Sequence, residues 1–141
     1  MSAIDHVLRN WRAAAVALNE GAAESDLAQL QRALGTDLPQ DVRYYFSSTD
    51  GMERYAPGGW LTHFWSIRQI VSDSWINQGT DGFGAYRDLA FVDVMLNAWG
   101  VFFRVRPGSG LSIYVEGAQL ELPSLEAFFQ RYLDDPDALC M

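Results

Sequence analysis

Apolar side chains recur at three- and four-residue spacings through Ile4, Val7, Leu8, Trp11, Ala14, Ala15 and Leu18. This spacing aligns them on one stripe of a helix over residues 2–19, and Gly21 is its stop. A second helix is predicted from Glu24 to Leu34, with Leu27, Leu30 and Leu34 on its apolar face and acids in its first turn, where the helix dipole favours them. Gly35 ends it. Pro39, at a first helical position where its missing N–H costs nothing, opens a short helix through Phe46 that stops before Asp50-Gly51. After Pro57-Gly58-Gly59 the period changes: residues 61–67 read as a strand, and Ile67 to Asn77 as a helix that buries Ile70, Val71 and Ile76. Gly79 to Gly84 reads as a loop.

Leu89 to Leu96, Trp99 to Val105 and Leu111 to Val115 follow as consecutive strands, the last two joined through Pro107-Gly108-Ser109-Gly110. Short connections imply antiparallel pairing. In the middle strand Trp99, Val101, Phe103 and Val105 share one face, while Phe102, Arg104 and Arg106 share the other. A short strand at Gln119 to Leu122 leads to a last helix, N-capped by Ser124, whose buried stripe is Leu125, Phe128, Phe129, Tyr132 and Leu133. Asp134-Asp135-Pro136 closes it. The fold class that results is α+β: N-terminal helices, a mainly antiparallel sheet of about five strands, and a C-terminal helix packed on the sheet. No repeat or linker divides the chain, so residues 1–141 are expected to form a single domain.

Charge sharpens this layout. All ten basic residues are arginine, against 18 acids, for a formal net charge of -8. The absence of lysine excludes a Walker-type phosphate loop, a Schiff base and a lysine general base. The deficit of cations argues against nucleic acid as a partner and for a basic protein instead. Residues 1–50 carry four arginines and seven acids, 51–107 five of each, and 108–141 one arginine and six acids. The neutral middle also holds eleven of the nineteen aromatic residues. One cysteine, Cys140, permits no intramolecular disulfide, and the longest purely apolar N-terminal run, Ala13 to Leu18, is too short for a signal peptide or membrane span. A soluble, cytoplasmic protein with no membrane association is expected.

Four phrases in order resemble the SUKH superfamily, which contains a fungal regulator of cell-wall assembly and many bacterial proteins proposed as toxin-immunity proteins. DLAQLQRALGTDLPQDVRYYFSSTDG, residues 26–51, looks like its opening signature, with Leu38, Pro39 and Gly51. HFWSIRQI, residues 63–70, is similar to the strand-to-helix passage that follows. LAFVDVMLNAWGVFFRV, residues 89–105, resembles paired strands with a Phe-x-Asp element, here Phe91 and Asp93, and LPSLEAFFQRYLDDPDAL, residues 122–139, resembles the closing helix. The match covers roughly residues 24–139. The resemblance implies a binding module without catalytic residues or cofactor, of the immunity type found in toxin–antitoxin pairs.

Direct inspection of the residues agrees with that implication. The two histidines stand far apart and no HExxH or CxxC spacing offers a metal site. No GxSxG elbow supplies a nucleophile, and the acids Asp50 with Glu53, and Asp134, Asp135 and Asp137, read as solvated clusters. Strict alternation puts Asp93 on the strand face of Leu89, Phe91 and Met95, where an unpaired charge is costly. A structural ion pair with Arg104 or Arg106 is the favoured reading, ahead of a catalytic acid. The aromatic surplus then becomes the main functional signal, since Trp and Tyr concentrate at binding hot spots. Trp60, Trp75, Tyr86 and Trp99, near loops or element ends, with Trp65, His63, Asp73 and Asp81, are the candidate partner-binding residues. The leading expectation is an immunity protein that neutralises a basic toxin domain, such as a nuclease, by direct binding. The alternatives are a housekeeping regulatory or scaffold module, and a small-molecule sensor with a pocket lined by Trp65, Trp75 and Tyr86.

Overall fold

The computed structural model describes residues 2–55, 61–73 and 75–136. Its elements run α1 (Ala3–Ala13), α2 (Glu24–Leu34), α3 (Gln40–Ser48), β1 (His63–Phe64), α4 (Ile67–Asp73), β2 (Ile76–Asp81), β3 (Gly84–Val94), β4 (Trp99–Arg106), β5 (Gly110–Val115), β6 (Leu120–Leu122) and α5 (Leu125–Asp134). The fold is α+β as expected, with N-terminal helices, a C-terminal helix and an antiparallel sheet that has six strands among the described residues. The strand order is β1-β3-β4-β5-β6, and β2 also pairs with β3. Because β4 occupies one edge of β3, β1 and β2 lie end to end along the other, β2 on Gly84 to Leu89 and β1 on Val92 and Asp93. The chain between them, which contains α4, bulges out of the sheet. Its ends are held at the gap by Trp65 N–H donating to the Phe91 carbonyl and by Ala90 N–H donating to the Trp75 carbonyl.

The helices cover the sheet face that carries Phe91 and Phe103, whose rings stack at 4.0 Å. Phe46 of α3 meets Phe103, and Phe128 of α5 meets Phe91 edge to face, so burial of aromatic area ties the two layers together. Trp11 belongs to this core too, against Phe64 and Phe129. The helices cap one another across the layer. Glu126, in the first turn of α5, accepts from the backbone N–H of Ala3 at 2.6 Å, and Asp41 of α3 accepts from the N–H of Glu126 at 3.0 Å. Ser124 accepts from Ala127 N–H, as its N-cap position predicts.

Several boundaries differ from the sequence reading. α1 ends at Ala13, not residue 19, because Ala15 turns left-handed (φ 57) and Val16 N–H reaches back to the Trp11 carbonyl in a Schellman motif. Leu18 instead bridges Met52, adding the segment beyond α1 to the Met52–Phe64 pairing. Pro39 is the residue preceding α3 rather than its first residue. The strand expected over 61–67 shortens to two residues, and α4 stops at Asp73. Ile76 therefore lies in β2 and is exposed, not buried. The expected loop over Gly79 to Gly84 is a β-hairpin turning at Gly82-Phe83, and β3 stops at Val94, where Met95, Leu96 and Asn97 all take positive φ.

Candidate functional site

A bulge decides where the chemistry lies. β3 pairs regularly with β4 through Leu89↔Phe103 and Ala90↔Phe102, then slips so that Val92 faces Val101 and Asp93 faces Gly100. Phe91 is the extra residue. Without the slip Asp93 would share the core face with Leu89 and Phe91, as alternation predicts; with it Asp93 shares the outer face with Phe102. The expected pairing with Arg104 or Arg106 is thereby corrected. Asp93 accepts from Tyr55 Oη at 2.7 Å and from Trp65 Nε1 at 2.5 Å, and His63 Nδ1 stands 3.6 Å from its Oδ2.

These groups meet in an open cleft of about 500 Å³ at the gap between β1 and β2, lined by Tyr55, His63, Trp65, Gln69, Asp73, Trp75, Asp93 and Asn97. Gly51 is the backbone device that makes the approach possible. With φ at +74° it lies so close to β1 that a Cβ there would sit 2.5 Å from the Trp65 carbonyl oxygen. The same crossing delivers the Met52 carbonyl to His63 Nε2 at 3.1 Å. Asp50, read as part of a solvated pair with Glu53, instead accepts from Ile67 N–H at 2.8 Å and caps α4. Burial raises its pKa.

Burial opposes the charge on Asp93, yet the donors His63, Trp65 and Tyr55 outweigh it and hold its pKa below the ordinary value. Burial likewise opposes protonation of His63. The Asp93 carboxylate and the Met52 carbonyl prevail and raise its pKa. Tyr55 is pushed up to about 12 by burial and by its bond to Asp93, so it remains a donor. Both imidazole nitrogens are engaged, Nε2 with Met52 and Nδ1 beside Asp93. His63 thus acts as a clamp between two segments.

Of the residues singled out from sequence, His63, Trp65, Asp73, Trp75 and Asp93 come together here. Asp81 and Tyr86 do not; they belong to a second constellation on the outer face of the sheet. There the Arg104 guanidinium lies between the rings of Tyr86 and Tyr114, 3.8 and 3.9 Å from their centroids, and forks onto Asp88 at 2.7 and 2.8 Å. Arg106 pairs with Asp81 and Glu121, each at 2.7 Å, which holds the Asp81 carboxyl down to about 2. A pocket lined by Trp65, Trp75 and Tyr86 is therefore corrected to one lined by the two tryptophans without Tyr86. Trp99 opens β4 opposite Val94 and is more than one-third exposed, while Trp60 lies outside the described residues. Leu38 and Phe91 are core residues. Sequence reasoning missed Tyr55, Gln69 and Asn97, each a lone polar group in a loop or helix with no local pattern to mark it.

No protein-family model and no curated protein sequence matches this chain. The molecule is thus defined by its architecture: an α+β protein with helices on one face of an antiparallel sheet and an aromatic, acidic cleft beside β3. Among the described residues, no helix is long and apolar enough to cross a membrane.

Proposed function

We propose that this chain is a non-enzymatic binding module of the SUKH type, a cytoplasmic immunity protein that neutralises a basic toxin domain, such as a nuclease, by covering its active site or substrate channel. The observation that carries the reading is the state of the cleft. Its histidine is hydrogen-bonded through Nε2 with Nδ1 3.6 Å from Asp93, and its buried carboxylate accepts from Tyr55 and Trp65, an arrangement that suits recognition by fixed groups. Fixed aromatic and acidic groups with a local acidic excess suit capture of a cationic surface. The net charge of -8 adds long-range attraction for such a partner. Co-expression with the products of the adjacent genes tests this. Growth rescue and a stable one-to-one complex with a toxic neighbour are expected, and failure of every neighbouring product to bind overturns the reading.

The volume of the cleft also favours a second reading, a small-molecule sensor, since about 500 Å³ falls in the range of ligand sites. A melting-temperature shift with a metabolite in place of any protein partner is its signature.

A further inference from the structure

We infer that the cleft seats an arginine side chain presented by the protein partner; this rests on the binding-module reading and names the chemistry that the site recognises. The first observation is an imbalance of charge. Farther along the outer face, the three carboxylates Asp81, Asp88 and Glu121 each contact Arg104 or Arg106. In the cleft Asp73 and Asp93 have no arginine partner among the described residues, and His63 is the one basic group that lines it. Asp93 is buried and supplied with donors, so the exposed carboxylate of Asp73 is the one left for a cation from outside.

A second observation identifies which cation. The protein already binds one guanidinium between flat rings and a carboxylate: Arg104, between Tyr86 and Tyr114 and forked onto Asp88. The cleft offers a simpler set, one half-buried indole and one exposed carboxylate, with no guanidinium among the described residues. Trp65 is buried and packs against Trp75, ring centroids 6.4 Å apart with planes inclined at 41°, so the half-buried Trp75 is the indole that faces the cleft, and Asp73, exposed at the end of α4, supplies a carboxylate. A planar, weakly hydrated guanidinium can stack on an indole while donating in its own plane to a carboxylate; an ammonium ion matches only the charge.

The surroundings point to a protein as the source. Beside Asn97 of the cleft, the β3–β4 turn exposes Met95 and Leu96 on a backbone of consecutive positive φ (55°, 56° and 70° for Met95, Leu96 and Asn97). Non-glycine residues in that region are held there against a steric cost. With Trp99 at the start of β4, the turn forms an apolar shoulder on which a partner's surface can rest as its arginine enters.

The test uses the full chain and follows the tryptophan indole N–H signals by NMR during titration with N-acetyl-arginine amide, its lysine counterpart and the uncharged citrulline counterpart. Saturable, millimolar shifts of the Trp65 and Trp75 signals are expected for arginine, with about tenfold weaker binding for citrulline and in both Asp73→Asn and Trp75→Ala. Asp73 is exposed, so its variant keeps the test valid if Trp75→Ala fails to fold. Absence of a saturable response, or equal responses to arginine and citrulline, overturns the inference. Micromolar binding of the free amide overturns the partner as the source and favours a small-molecule sensor. If a toxin partner binds and Asp73→Asn leaves its affinity unchanged, the inference fails while the immunity reading stands. If the arginine response is seen yet no neighbouring gene product binds, the immunity reading fails and the cation site stands.

Discussion

Asp93 shows how one side chain can be costly and indispensable together. Its carboxylate is nearly inaccessible, so it is stable there only because Trp65, Tyr55 and His63 supply donors. Asp93→Asn places an amide where both oxygens had accepted, leaving a buried donor without its acceptor, and is expected to cost about 2 kcal/mol, or roughly 7 °C in Tm for a chain of this size. The pH dependence has two limbs. Asp93 has a lowered folded pKa, so its contribution is present above the ordinary carboxylate value of 3.8 and is lost as pH falls through the folded value. His63 has a raised folded pKa, so its contribution is complete below 6.5 and is lost as pH rises through the folded value. The difference between wild type and Asp93→Asn in urea unfolding should therefore be largest at about pH 5–6 and shrink on either side. A difference independent of pH would show that the two groups do not act as an ion pair. The need for a partner to Asp93 was legible in the sequence. The identity of that partner was not, because one bulge residue exchanged the two faces of the strand.

At the scale of elements, the readable ones are those with strong local signals. α2 matches its predicted limits because Gly35 supplies the left-handed C-cap, and α5 begins where Ser124 predicts. α1 departs because Ala15 takes the position that glycine ordinarily marks. A left-handed alanine is disfavoured by the contact of its Cβ with the backbone, so Ala15→Gly is expected to stabilise the protein by roughly 0.5–1 kcal/mol, raising Tm by about 2–3 °C. A lower Tm would indicate that the methyl group packs usefully. The end of α4 was misplaced for a different reason. Ile76 stands six positions after Ile70 and five after Val71, off the three- and four-residue helical spacing, and pairing of β2 with β3 draws it into the sheet.

At the scale of the whole molecule, the first and last helices converge on one core. α1 packs on α5, and the buried side chains form a contiguous cluster extending from Ala3 to Phe129. Such a core is expected to unfold as a single unit: thermal transitions followed by far-ultraviolet circular dichroism and by tryptophan fluorescence should coincide. Separate midpoints would reveal that the cleft region melts independently of the helical layer. The uneven charge also takes on a spatial meaning. The two arginines on the outer face, Arg104 and Arg106, lie among three carboxylates, Asp81, Asp88 and Glu121, so part of the acidic excess sits there and part in the cleft. The amino-acid sequence by itself determined the α+β class, the antiparallel central strands, the capped helices and an aromatic-rich middle, because periodicity and capping act over a few residues. Only the tertiary structure decided that His63, Trp65, Asp73, Trp75 and Asp93 share a cleft and that Asp81 and Tyr86 belong to a separate cluster on the sheet's outer face. Those outcomes depend on a strand slip, a close crossing at Gly51 and two strands sharing one edge, and such long-range pairings have no local period to announce them.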